Sequence, residues 1–328
     1  MTEEHVVEII LEGRHFLRAE DVVFSEATFH LSHLNEWYQT SGMNVEVENA
    51  DDEKRKLTVS YQRPNPIGFE YIGGYIEFGH NWQFTFPRFL TGAAIVENVS
   101  IYLRPDKNIH MLAFLNDCVD AVSSFIALCQ AREVSIIEIH GRAAADCADK
   151  TPAERKSVPT IKLHLKRQVR DDEGKELLPH DMVCTFEDVR TDIKELFKNW
   201  ICLFRAIKPV LRLFLEILGA KELSTNLFLN SVQAIEAFHR LRRGGQVLTN
   251  KEYEALVLSA VSALPDKHKK WFSDQLKFGN EIPLRKRLVE LLKQQEDLFG
   301  LDRNYRKTAA FRIKEISEVP PIFWTVAK

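Results

Sequence analysis

A chain of 328 residues, 45% of them apolar, is long enough for about two domains and can build a core in each, which excludes disorder over most of its length. Its 44 basic and 47 acidic residues leave a net charge of −3, so it is no globally basic nucleic-acid binder, and any anion-binding surface has to be local. No run of about 18–20 apolar residues stands out, Met1 to Glu12 has no basic leader region, and five cysteines without a Cys-x-x-Cys pair read as reduced thiols in a cytoplasmic protein with no membrane partner.

The early part of the chain is strand-like and often broken. Val6 to Leu11, Ala27 to Leu34, Leu57 to Tyr61, Phe69 to Phe78, Trp82 to Phe86 and Ala94 to Leu103 carry β-branched and aromatic residues between Gly, Pro and Asn turns. Gly73-Gly74 and the charged Asp51 to Arg55 are among those turns. The spacing predicts an antiparallel sandwich or barrel. The period then changes: Leu115, Val119, Val122 and Ile126 predict a helix over Leu112 to Ala131. Strands are expected at Val134 to Ile139, Ile161 to Leu165 and Val183 to Phe186, with an exposed loop at Ala143 to Ser157 and a turn at Arg170 to Gly174.

From about Asp188 the pattern is helical. Asp192 to Leu218 is one long helix with Pro209 inside it, which predicts a break or kink near Lys208. Ser224 caps a helix running to Arg243, closed by Gly244 and Gly245. Thr249 caps Lys251 to Leu264, Pro265 starts a helix through Leu276, and Pro283 opens Leu284 to Phe299. A further helix is expected from Asp302 and fails at Pro320-Pro321. The fold class is therefore α+β: a β-rich sandwich or barrel-like domain over 1–187, followed by an all-α bundle over 188–328.

No phosphate loop, dinucleotide fingerprint, nucleophile elbow or His-Glu-x-x-His pair occurs, so neither a cofactor nor a metal is expected. His30 and His33 are three apart and would lie on opposite faces of a strand. The informative stretch is Asn226 to Arg243. Phe228, Val232, Ile235 and Leu241 form an apolar stripe, while Gln233, Glu236, Arg240 and Arg243 line another. Glu236 and Arg240 have the spacing of an ion pair, and His239 borders the apolar side as a packed, hydrogen-bonded residue. Arg285, Lys286 and Arg287 splay around a later helix. Together with Arg240, Arg242 and Arg243 they offer a basic face to RNA phosphates, against the plainer reading of a solvated surface.

At these residues the chain resembles the ApeA family. The resemblance rests on Leu196 to Leu218, Phe228-Leu229-Asn230, Ala234 to Arg240, Lys277 to Glu281 and Arg287-Leu288 in the helical part. It extends more loosely to Phe29 to Trp37 and Val99 to Leu103 in the β-rich part. It implies a bacterial anti-phage, abortive-infection protein whose helical part is a HEPN domain. Such domains are metal-independent ribonucleases that commonly dimerise around an Arg-x4–6-His motif. There an imidazole moves the proton and an arginine holds the phosphate. Arg303-Asn304-Tyr305 resembles the first half of that motif, and Glu236 is expected to orient its arginine. Thr308, Ala309 and Ala310 stand where the histidine belongs, and no histidine follows His268. In the register of Phe311 to Ser317 the motif would fall at Glu318 to Trp324, which predicts a truncated or divergent tail.

The resemblance thus implies RNA, a phage-derived trigger and a second copy of the chain as partners. Arg303, Asn304 and Glu236 are the candidate catalytic group, and Arg240, Arg243, Arg285 and Arg287 the candidate RNA contacts. Two other functions fit the sequence: a non-catalytic recognition or regulatory module, and a β-sandwich ligand binder with a helical dimerisation domain.

Overall fold

The computed structural model describes residues 8–48, 56–85, 94–155, 157–166, 177–220, 222 and 224–298. The expected turn at Arg170 to Gly174, the helix from Asp302, and Arg303 and Asn304 lie outside the described residues. The chain forms two compact units that meet in sequence between Cys202 and Leu203.

The first unit contains, in order, β1 (Ile9–Glu12), β2 (Val23–Leu31), α1 (Leu34–Tyr38), β3 (Met43–Glu48), β4 (Lys56–Tyr61), β5 (Ile67–Tyr71), β6 (Gly74–Thr85), β7 (Ala94–Pro105) and β8 (Ile109–His110). It continues with α2 (Met111–Ala113), a π-helical stretch at Phe114–Val119, α3 (Asp120–Gln130), β9 (Ile136–Ala143), α4 (Ala144–Cys147), α5 (Pro152–Arg155), β10 (Ile161–Leu165), α6 (Phe186–Val189) and the start of α7 (Ile193–Leu218). Most of the strands expected from the sequence appear, but not as two facing sheets. They form one antiparallel sheet in the order β1-β10-β9-β2-β7-β6-β5, with β8 beside β2, and β3 and β4 pair separately.

Alternation decides which side of the sheet is core. In β2, Ala27, Phe29 and Leu31 are buried, and so are Ile76 and Phe78 in β6 and Ile101 and Leu103 in β7. Helices, rather than a second sheet, complete this core. Trp37 of α1 has no exposed surface and meets Phe186 and Phe125 edge-on, while Tyr38 stacks on Phe186 at 4.4 Å. Phe197 of α7 packs against Phe69 and Phe125, and the Trp200 indole donates to Ala121 O at 2.7 Å. The β5–β6 turn uses Gly73 and Gly74, both at positive φ. A Cβ on Gly74 would collide with the Arg104 carbonyl, so the pair is a turn, as the sequence predicts.

Four local expectations are corrected. Val183 to Phe186 is not a strand: the Val183 and Cys184 amides both donate to Cys129 O, a turn that brings Phe186 to the start of α6. Ala143 to Ser157 carries two short helices. The end of the Ala27 to Leu34 segment turns into α1 through His33 at φ 56°. One segment, Met111–Gln130, is long and apolar enough to span a membrane by composition. Half of it is buried within the protein, with Val119, Val122, Phe125 and Ile126 in the core.

In the second unit α7 continues through Pro209 without interruption, and α8 (Thr225–Arg243), α9 (Asn250–Ser262), α10 (Asp266–Leu276) and α11 (Leu284–Leu298) follow. The cap signals act as expected. Ser224 Oγ accepts from the Leu227 amide, Gly244 closes α8 at φ 79°, and Thr249 and Glu252 form a capping box. The apolar stripe of α8 is less covered than its pattern suggests. Phe228, Ile235 and Leu241 stay 57%, 38% and 44% exposed, whereas Ala234 and His239 are buried.

Candidate functional site

Three of the family-like runs of the helical unit, Ala234 to Arg240, Lys277 to Glu281 and Arg287-Leu288, converge on one place. Gly244 and Gly245 turn the chain out of α8 so that Gln246 to Leu248 runs antiparallel beside Asn280 to Ile282. The Val247 amide donates to Asn280 O at 2.9 Å, and the Ile282 amide to Gly245 O at 3.0 Å. Asn280, 7% exposed, uses its side chain like a peptide group: Nδ2 donates to Leu248 O and Oδ1 accepts from Leu248 N, both at 2.9 Å. This latch fixes the C-terminal end of α8 against the N-terminal end of α11.

Over the latch lies a charged cluster. Arg287 of α11 is 1% exposed, and its Nη1 donates to Glu236 Oε1 of α8 at 2.7 Å. Its Nη2 reaches Glu281 Oε2 at 3.5 Å. Arg240 completes the square, donating to the same Glu236 oxygen at 3.0 Å and to Glu281 Oε2 at 2.6 Å. Two guanidinium groups thus share two carboxylates, and the buried charge is neutralised within the cluster. One turn further along α11, Glu290 accepts from His239 Nε2 at 3.0 Å. The His239 side chain is fully buried, and its Nδ1, like Arg287 Nε, has no hydrogen-bond partner among the described residues.

The structure brings some of the expected site residues together. Glu236 reaches across to α11, where the arginine it holds is Arg287; Arg303, the arginine it is expected to orient, lies outside the described residues. Arg240 pairs with Glu236 as its spacing predicts and is half exposed. Arg285 and Lys286 are exposed. Arg287, expected to contact RNA phosphate, is sealed against carboxylates and does not fit that role: three consecutive basic residues fan over about 200° of a helix, and Arg287 is the one turned inward. The backbone of Arg243 ends α8, and its side chain is outside the described residues. Glu281, Glu290 and Asn280 carry equal weight in the geometry; Asn280 and Glu281 stand in a family-like run, and no sequence signal pointed to Glu290.

The chemistry of this cluster is holding rather than reacting. Guanidinium groups do not accept protons at neutral pH, both carboxylates already accept from them, and the one imidazole is closed to a polymeric substrate. Elsewhere, His30 Nδ1 donates to Val99 O at 3.0 Å, and His33 Nδ1 lies 3.3 Å from Glu36. In the sheet domain, Glu97 gathers Ser41 Oγ at 2.6 Å, the Gly42 amide, the Tyr61 hydroxyl at 3.0 Å and His80 Nδ1 at 2.8 Å. Glu97 thereby anchors both ends of the β3–β4 hairpin. Burial pushes its carboxyl up, but these donors outweigh that and hold it below its ordinary value, while burial holds the His80 imidazole down.

Comparison with known protein families agrees with this division of the chain. The family model described as ApeA N-terminal domain 1 matches residues 3–200, and that described as Apea-like HEPN matches residues 229–316. No curated protein and no solved structure matches the chain. The first match covers more than half of the sequence, and the second begins within α8 and takes in the latch and the charged cluster, so the chain belongs to the ApeA family, with an ApeA N-terminal domain followed by an ApeA-like HEPN domain.

Proposed function

We propose that this protein is a phage-defence protein of HEPN ribonuclease ancestry, acting in the cytoplasm by abortive infection, with the Arg-x4–6-His motif missing or incomplete in this chain, with RNA and a phage-derived trigger as partners, and with a homodimeric helical domain. In this reading the described cluster is the scaffold of the site. Glu236, Glu281, Arg240, Arg287 and the His239–Glu290 pair lock α8 to α11, and Arg303 and Asn304 belong to the reacting group. Arg285, with Lys286, is the solvent-facing cation suited to a phosphate. Support for a second copy comes from the exposed Phe228, Ile235 and Leu241 on α8.

The observation that carries the reading is the fate of the histidines. His239, the histidine inside the family-like run Ala234 to Arg240, is fully buried and committed to Glu290, and no histidine follows His268 in the sequence. In-line attack by a 2′-hydroxyl needs a proton acceptor and a donor for the leaving oxygen, and losing such a group costs about 10²–10⁴ in rate. The 328-residue chain by itself is therefore a slow or inactive ribonuclease. Incubating the purified chain with total RNA in excess chelator tests this: little cleavage is expected. Robust cleavage that disappears in Arg303→Ala would overturn it and place a working site at Arg303.

A further inference from the structure

The sheet of the first unit is split. β9 and β10 pair only at Ile161 with Gly141 and at Lys162 with His140. Continued in register, Leu163 would oppose Ile139 and Leu165 would oppose Ile137. Instead the strands part, and a cleft of about 560 Å³ opens between Ile136–Ile139 on one wall and Lys162–Leu165 on the other. Neither wall is a fraying end. β10 stays paired with β1 out to Leu165 and Ile9, and the Lys166 amide donates to Glu8 O at 3.0 Å. β9 stays paired with β2 out to Ile136 and Leu31, and the Ser32 amide donates to Ser135 O at 2.9 Å. The closed end is stapled by Lys162 Nζ, which donates to Glu138 Oε1 at 2.7 Å, with His140 Nε2 3.1 Å from the same oxygen. Lysine and histidine hold the Glu138 carboxyl down at about 2, so the staple persists across the ordinary pH range.

We propose that this cleft receives an extended segment of a partner protein, inserted as a strand between β9 and β10. Two strand edges that face each other without pairing present main-chain donors and acceptors on both sides, and these need partners. An extended polypeptide is the ligand whose N–H and C=O groups repeat at strand spacing toward both walls. The side chains define its pattern. Ile139 and Leu163 are buried on the core side of the sheet, and Ile137, on the same side, is 49% exposed at the open end. Glu138 and His164 alternate with them on the opposite side. The inserted segment is thus apolar at alternate positions, covering Ile137, and polar at the others. A second groove of about 310 Å³, lined by His30, His33, Glu36 and Asn98, shares Ile137 and Glu138 with the cleft. This inference is independent of the ribonuclease reading.

The test is selection from an mRNA-displayed library of random 12-residue peptides on the full 328-residue chain. Binders with apolar–polar alternation are expected, protecting the amides of 136–139 and 163–165 from hydrogen exchange. Ile137→Glu, which places a charge on the apolar side of the cleft at an already half-exposed position, should weaken them tenfold or more. Methylating the central backbone amides one at a time separates insertion from addition to an outer edge. An inserted strand uses its amides on both sides, so every central methylation should weaken binding, whereas a strand added to β1 or β5 tolerates every second one. The proposal is overturned by a library that yields no binder, by protection that maps elsewhere, by affinity indifferent to Ile137→Glu, or by the every-second-amide pattern.

Discussion

The sheet domain and the helical unit are held together by different chemistry. In the first, aromatic rings meet over the sheet: Trp37, Tyr38, Phe78, Phe125, Phe186 and Phe197 are buried and in mutual contact. In the second, the residues that join α8 to α11 are Arg287, Glu236, Glu281, Asn280 and His239, while several large apolar side chains remain exposed, Leu258 at 74% and Phe278 at 69% among them. An aromatic core tolerates local change because its stabilisation is spread over many contacts. A charged latch depends on each partner, since removing one leaves a buried group unpaired. The first arrangement spreads stability over a whole domain, and the second fixes the relative position of one helix pair.

The largest expected effect sharpens the first half of that contrast. Trp37→Ala removes a fully buried indole and the donor to Cys184 O, and should cost about 3–5 kcal/mol. Site-resolved hydrogen exchange should show it in β2, β7 and α3. A cost below about 1 kcal/mol would mean that the aromatic cluster is not the core.

Arg287→Met tests the latch. It leaves Glu236 and Glu281, both partly exposed, facing each other with only Arg240 between them, and about 3 kcal/mol should be lost, at the lower end for a broken buried pair. Exchange should rise at Gly245 to Leu248 and along α11. Arg287→Lys should recover little, because a single ammonium cannot fork between two carboxylates. Full recovery would reduce the cluster to simple charge balance.

Asn280→Ala removes both side-chain bonds to Leu248 and should cost about 2 kcal/mol, read from the same amides and from chemical denaturation. An unchanged Val247 amide would show that the main-chain bridge holds without the side chain.

The smallest effect is acid sensitivity in the sheet domain. His80 and Glu97 both have depressed values in the folded state, so each contributes stability above its unfolded value and loses it as pH falls toward its folded one. His80 acts first, below about pH 6.5, and Glu97 below about pH 4.3. The urea midpoint should therefore fall between about pH 7 and pH 5, and fall less in His80→Phe, which keeps a ring against Tyr38 at 5.3 Å. An identical pH slope in the variant would remove His80 from the account.

Much of the architecture was legible in the sequence because it depends on local periods and caps. Alternation marked β10 at its observed bounds, the Ser224 and Thr249 caps placed α8 and α9 to within a residue or two, and the glycine pair after Arg243 ended α8 as expected. Packing side was also readable for His239, on the border of an apolar stripe. The strand expected at Val183 to Phe186 illustrates the limit. An apolar run of that length suits a strand or a buried turn equally, and the choice depended on the carbonyl of Cys129, more than fifty positions away in the chain.

What the sequence by itself determined, then, was the division into a β-rich part and a helical part, the helix ends and the family-like runs, all of which follow from neighbours within a few positions. Tertiary structure alone decided that the strands form one sheet backed by helices, that this sheet splits between β9 and β10, and that Arg287 rather than Arg285 or Lys286 turns inward. The reason is physical. Successive residues on a helix differ in direction by about 100°, and which of Arg285, Lys286 and Arg287 can be buried depends on Glu236, which arrives from α8 to join Glu281 in neutralising it.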